Sequence, residues 1–164
     1  MATRIDELYE QDFYVWTQRQ AEALRRLAET RPNVELDFPH LIEEVEDLGT
    51  SQRDAVRSQL RRIIEHCLKL EFSRSPDPRA GWRDSIIDAR AELDDKLSAS
   101  LRRDLDDQLQ RLWTKSRTKA ENALRGHGES DAADLLPADC TYALDDLLAD
   151  GWYPVNRHGL PDDR

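Results

Sequence analysis

Hydrophobic side chains recur along this chain at steps of three and four residues, the spacing of one face of an α-helix. The first stripe consists of Tyr9, Phe13, Trp16, Gln20, Leu24 and Leu27. It predicts one helix from about Leu8 to Glu29, which ends before Pro32 because the residue preceding a proline is disfavoured in the helical region. Asp37 is a suitable N-cap for the next helix, with Pro39 in its first turn.

The segment 38–72 predicts either one kinked helix or two helices that meet at Gly49. Gly49 is a suitable C-cap, and Ser51 with Asp54 three residues later is typical of a new helix start. The second half carries the clearest core face of the chain, formed by Val56, Leu60, Ile63, Ile64, Cys67 and Leu70.

The remainder of the chain predicts a loop followed by further helices. Residues 73–81 contain two prolines and a glycine and no apolar run, which indicates a loop. A helical stripe starts at Trp82 and reaches about Arg125, with a soft boundary near 98–100, and Thr141 is a candidate cap for a last helix through Leu148. We therefore expect residues 1–164 to form one all-α domain, an irregular bundle of about five or six helices. Its core covers about 8–154, and 155–164 form a flexible polar tail.

Composition supports this class and limits the partners. Only eleven Ile and Val residues and six Gly are present, which leaves little material for strands and excludes a sandwich or barrel. The chain carries 24 basic and 34 acidic residues, a net charge of −10, which disfavours nucleic acid and anionic membranes as partners of the whole surface. A protein partner is expected instead, and homo-oligomer formation stays open.

The expected location is the cytoplasm. Cys67 and Cys140 have no neighbouring Cys or His at metal-binding spacing, so reduced thiols fit better than a disulfide framework or a zinc site. The sequence shows neither the pattern of a signal peptide nor about 18 consecutive apolar residues.

Polar and charged residues follow the flanks of the predicted apolar faces, where facing helices would bring them together. This candidate cluster consists of His40, Glu44, Asp47, His66, Arg83 and Arg90. Three interpretations compete for it. In the structural interpretation, Arg90 and Arg83 form buried-edge salt bridges to Glu44 or Asp47, and His66 donates a hydrogen bond to a carbonyl.

In the second interpretation the cluster is a metal or hydrolytic site. Its ligands or general base would be His40, Glu44, Asp47 and His66, with Arg83 or Arg90 holding an anionic ligand. The paired Glu-x-x-His motifs of di-iron bundles are absent from the sequence, and so are Gly-rich phosphate loops. No metal, cofactor or catalytic residue is therefore assigned.

In the third interpretation the chain is a binding module. Trp152 and Tyr153, after the last helix, are candidates for docking onto a partner or back onto the chain itself. Arg111 and Lys115 open a basic stretch that continues to Arg125, which is typical either of a phosphate contact or of a solvated helix face.

The chain resembles the bacterial "domain of unknown function 29" family over residues 8–154. The matching motifs are Tyr9-x-x-Asp12-Phe13-x-x-Trp16, the run Leu41 to Gly49, His66-Cys67-Leu68-Lys69, Trp82-Arg83-x-x-Ile86-x-x-x-Arg90, Cys140 to Leu144 and Trp152-Tyr153-Pro154. The resemblance implies a compact all-helical fold and no established activity, substrate or cofactor. The interpretation we prefer is an intracellular interaction or regulatory module without catalytic activity, and the alternative is a metal-dependent enzyme or metal-binding protein.

Overall fold

Seven helices and no strand are present in residues 4–161, the part of the chain that this computed structural model describes. They are α1 (Ile5–Gln11), α2 (Phe13–Glu29), α3 (Phe38–Phe72), α4 (Arg79–Lys96), α5 (Ala99–Gly126), α6 (Ser130–Asp134) and α7 (Leu144–Leu148). The predicted all-α class is confirmed. Over the same residues, no helix has both the length and the apolar character that a membrane span requires.

The chain divides into two compact units. The first contains Met1–Val56 and Lys96–Asp104, and the second contains Arg57–Asp95 and Leu105–Arg164. The organisation as one domain stays a prediction.

In the first unit, the predicted helix from Leu8 to Glu29 is interrupted at Asp12. The Asp12 carboxylate accepts hydrogen bonds from the Val15 backbone N–H (3.2 Å) and from the N–H and hydroxyl of Ser100 (3.1 and 2.8 Å). Asp12 therefore ends α1 and acts as the N-cap of α2. The single-helix prediction is wrong here because a cap residue lies inside the apolar stripe.

The segment 38–72 forms one continuous helix of 35 residues, α3. Asp37 directly precedes this helix, as predicted for its N-cap, and its Oδ1 accepts from the His40 backbone N–H at 3.4 Å. Gly49 is not a C-cap. It lies buried within the helix, and a Cβ atom at this position would overlap the Thr17 hydroxyl oxygen and lie 3.2 Å from the Thr17 Cβ. Gly49 thus permits the close approach of α2 and α3.

The core of the second unit is built on the second half of α3, as the sequence predicts. Leu60, Ile63, Ile64 and Cys67 are fully buried there. Burial raises the pKa of the Cys67 thiol to about 12, which keeps it protonated and unreactive.

Three aromatic side chains of the second unit, Trp113, Tyr142 and Trp152, pack against one another. Trp113 is fully buried and donates from its indole N–H to the Pro137 carbonyl (3.1 Å). Its ring packs edge-to-face on Tyr142, which packs in the same way on Trp152. Tyr142 also donates from its hydroxyl to the Glu71 carboxylate.

Two boundaries in the second unit differ from the predicted ones. Helix α4 begins at Arg79 rather than at Trp82, and the buried Arg79 guanidinium donates to the Leu70 carbonyl at 2.8 Å. Helix α7 begins at Leu144 without a side-chain cap, so Thr141 does not start it. With α6 and the separate α1, these short elements raise the number of helices above the five or six expected.

The segment after Pro154 is held against the end of α3 rather than forming a loose tail. The Asn156 side chain is 5% exposed, and its amide donates to the carbonyls of Leu70 (2.8 Å) and Ser73 (2.9 Å). The Arg157 backbone N–H donates to the Glu71 carbonyl at 2.9 Å. The predicted flexible tail is therefore corrected for these positions, while residues 162–164 lie outside the described part.

Candidate functional site

A cleft of about 540 Å³ opens on the second unit between α3 and α5. Both helices present polar residues to it at spacings of three and four, so each contributes one continuous face. The residues that line this α3–α5 cleft are Ser58, Gln59, Arg61, Arg62, Glu65, His66, Lys115, Ser116 and Lys119.

The cleft is cationic although the chain is acidic. Among the described residues that line it, the only acid is Glu65. Its carboxylate is buried and already bonded to Lys69 (2.6 Å), and Lys119 lies 3.3 Å from its other oxygen. Burial alone would raise the pKa of Glu65, but the hydrogen bond and charge of Lys69 outweigh it and the pKa is lowered. Arg62 and Lys115 have no carboxylate partner among residues 4–161. Positive charge is therefore left available to an incoming anion.

Two polar atoms in the wall of the cleft are buried and lack a hydrogen-bond partner within the described residues, namely His66 Nδ1 and Gln59 Oε1. Burial, followed by the charge of Lys69, lowers the pKa of His66 to about 4. The imidazole is therefore uncharged near pH 7. A bound molecule that pairs with His66 Nδ1 and supplies a donor to Gln59 Oε1 would satisfy both atoms.

The same cleft offers little for covalent chemistry. The Ser116 hydroxyl donates to the Leu112 carbonyl at 2.8 Å, and the Glu65 carboxylate is occupied by two ammonium groups. The arrangement suits the binding of an anion, with Arg side chains on the α3 side and Lys side chains on the α5 side.

Comparison with known proteins identifies the family. The model of the family described as "Domain of unknown function DUF29" matches residues 8–153. The chain belongs to this family. It is also similar to a crystal structure of an α-helical protein of unknown function from Rhodospirillum rubrum, with a TM-score of 0.77 and 26% identity, over 88% of this chain and 90% of that one. A comparison with the curated proteins finds no match.

In this DUF29 chain the predicted His and carboxylate cluster is spread along α3. His40, Glu44 and Asp47 are exposed in the first unit, whereas His66 lies in the second unit, about five to seven helical turns further along the helix. The His40 side chain is 77% exposed and bonds Asp37 at 2.5 Å, which raises its pKa. In residues 4–161, no three His, Cys, Asp or Glu side chains are grouped so that they could hold a metal ion.

Arg90 bonds to backbone carbonyls rather than to Glu44 or Asp47. The guanidinium is buried and donates to the carbonyls of Leu147 (3.0 Å) and Trp152 (2.8 Å). Arg83 and Arg90 both lie over the Tyr153 ring, at 5.7 and 5.4 Å from its centroid. The expected salt bridge is corrected for Arg90, which instead satisfies the C-terminal end of α7. The expected hydrogen bond from His66 to a carbonyl is also not formed by Nδ1, which has no partner within the described residues.

Of the residues predicted to bind a partner, Lys115 lines the α3–α5 cleft and Arg111 lies outside it. Trp152 and Tyr153 are half-buried on their own unit, against Tyr142 and the two arginines. Sequence reasoning placed His66 and Lys115 in separate candidate groups. It missed Arg61 and Arg62, although both follow Gln59 on the helix that carries His66.

Proposed function

We propose that this DUF29 chain is an interaction or regulatory module of the cytoplasm, without catalytic activity, that binds an acidic segment of a protein partner in the α3–α5 cleft. The observation that carries the proposal is the concentration of Arg61, Arg62, Lys115 and Lys119 around a cleft. Within the described part of the chain, the one carboxylate that lines this cleft is already paired.

The charge of the whole chain supports a short acidic segment over an extended polyanion. A net charge of −10 repels an extended polyanion that runs along the surface outside the cleft, where its charges come within the Debye length of about 8 Å at physiological ionic strength. A few carboxylates that enter the cleft instead meet several cations at close range. We expect such binding to weaken steeply as salt concentration rises.

The test is titration of a hexaglutamate peptide into the full chain, followed by calorimetry at low and physiological salt. The variant Arg62→Glu with Lys115→Glu should weaken binding at least about tenfold, which corresponds to about 1.4 kcal/mol. Arg103→Glu with Arg111→Glu is the matched control, because it makes the same change of net charge at exposed positions of α5 outside the cleft.

Equal weakening in both double variants would show that net charge, not the cleft, attracts the peptide, and the proposal would fail. Self-association is measured separately by sedimentation at low salt, because the chain's own residues 126–156 carry seven acids and no Lys or Arg.

A further inference from the structure

We infer that the anion that the α3–α5 cleft accepts is the phosphoryl group of a phosphorylated protein segment, an inference that rests on the proposed function. It concerns the chemistry of the group that enters the cleft.

The number and arrangement of the cations favour a phosphoryl group over a carboxylate. Arg61 and Arg62 lie on the α3 side of the cleft, and Lys115 and Lys119 lie on the α5 side. A carboxylate has one charge and two oxygens, so it leaves most of these cations uncompensated. A phosphoryl group carries about −1.5 to −2 charges and three acceptor oxygens, so it can bond to both helices at once.

The cleft, at about 540 Å³, has room for a peptide segment beside a phosphoryl group, and two buried polar atoms in its wall offer that segment contacts. His66 is neutral, so the tautomer with the proton on Nδ1 presents one N–H donor, which a phosphoryl oxygen can accept. Gln59 Oε1 needs a donor, and the dianionic phosphoryl group of an ester has no O–H to supply one. The backbone N–H groups of a peptide that carries the phosphoryl group supply that donor.

The experiment compares blocked Gly-Gly-X-Gly-Gly peptides, where X is phosphoserine, glutamate or serine, with inorganic phosphate, by calorimetry on the full chain. We expect the phosphoserine peptide to bind at least about tenfold more tightly than the glutamate peptide and than inorganic phosphate. The serine peptide should not bind measurably.

Two variants and one spectroscopic signal assign the contact to His66. His66→Leu, which removes the N–H, should lower the preference for phosphoserine over glutamate at least about fivefold, whereas His66→Asn, whose amide N–H lies near the position of Nδ1, should retain most of it. In the unmodified chain, the ¹⁵N resonance of His66 Nδ1 should shift on addition of the phosphoserine peptide. This last readout does not depend on the folding of any variant.

Each adverse result overturns a separate statement. Equal affinity for the phosphoserine and glutamate peptides would overturn the phosphoryl assignment and leave the proposed function standing. Equal affinity for inorganic phosphate and the phosphoserine peptide would assign the cleft to a free phosphate compound and overturn the protein source. Failure of hexaglutamate and of both charged peptides to bind would overturn the proposed function as well.

Discussion

His66 keeps an uncharged imidazole beside the cations Lys69, Arg62 and Lys119. Burial opposes its protonation most, these charges add to the effect, and the nearby Glu65 only partly offsets them, so the pKa falls from 6.5 to about 4. In the unfolded chain the imidazole regains its ordinary pKa. Between pH 6.5 and 4 the unfolded state therefore binds more protons than the folded state, and acidification through this window destabilises the fold.

This linkage predicts a measurable difference between the natural chain and His66→Gln. The free energy of unfolding should fall by about 2 kcal/mol more in the natural chain than in the variant between pH 7 and pH 4.5. Urea unfolding followed by circular dichroism at several pH values measures both curves, and carboxylate titrations are common to the two proteins. Parallel curves would mean that folding leaves the pKa of His66 unchanged.

At the scale of the helix, α3 continues through Gly49 without a break. A glycine is needed at this position because a larger residue would collide with α2, and the backbone conformation does not require it. Alanine is favoured over glycine inside a helix by about 1 kcal/mol, so propensity alone predicts that Gly49→Ala stabilises the protein. The added methyl group would instead press on Thr17, which is fully buried and whose hydroxyl donates to the Tyr14 carbonyl at 2.7 Å. We expect Gly49→Ala to lower the free energy of unfolding by about 1–3 kcal/mol.

Gly81 is the matched control, since it lies within α4 and no atom beyond its own helix backbone would contact an added Cβ. Chemical denaturation should show that Gly81→Ala is neutral or stabilising by up to about 1 kcal/mol. Adding Thr17→Ala to the Gly49→Ala variant should recover part of the loss, because it removes the hydroxyl that the new methyl group overlaps. A stabilised Gly49→Ala variant would refute the packing explanation.

The helices show which features the sequence could predict. The core face of α3 and the Asp37 cap are local patterns, and both could be read from the order of residues. The contact of Asp12 with Ser100 joins residues 88 positions apart, and the role of Gly49 depends on Thr17 on another helix. The candidate site could not be predicted for the same reason, because no local pattern indicates that His66 and Lys115 lie on facing helices.

At the scale of the whole chain, the C-terminal segment completes the end of a helix formed more than 80 positions earlier. The Asn156 amide group donates to two carbonyls there, and its Oδ1 accepts from the His158 backbone N–H at 2.8 Å. We expect Asn156→Leu to lower the free energy of unfolding by about 2–4 kcal/mol, because the buried carbonyls lose their donors.

The neighbouring Val155 is 82% exposed and provides the control. Val155→Ala should change the free energy of unfolding, measured in urea, by less than about 0.5 kcal/mol. A similarly small change in Asn156→Leu would show that the segment contributes nothing to the stability of the second unit.

The protected thiol of Cys67 gives this protein an internal reporter of its own opening. Cys140 is half-buried and reacts first with an alkylating reagent, so a Cys140→Ala background leaves Cys67 as the single slow site. Because the Cys67 side chain has no exposed surface and its pKa is about 12, modification requires the second unit to open. The rate of alkylation then measures how often that opening occurs under native conditions, and a peptide that binds the α3–α5 cleft should slow it in proportion to its occupancy.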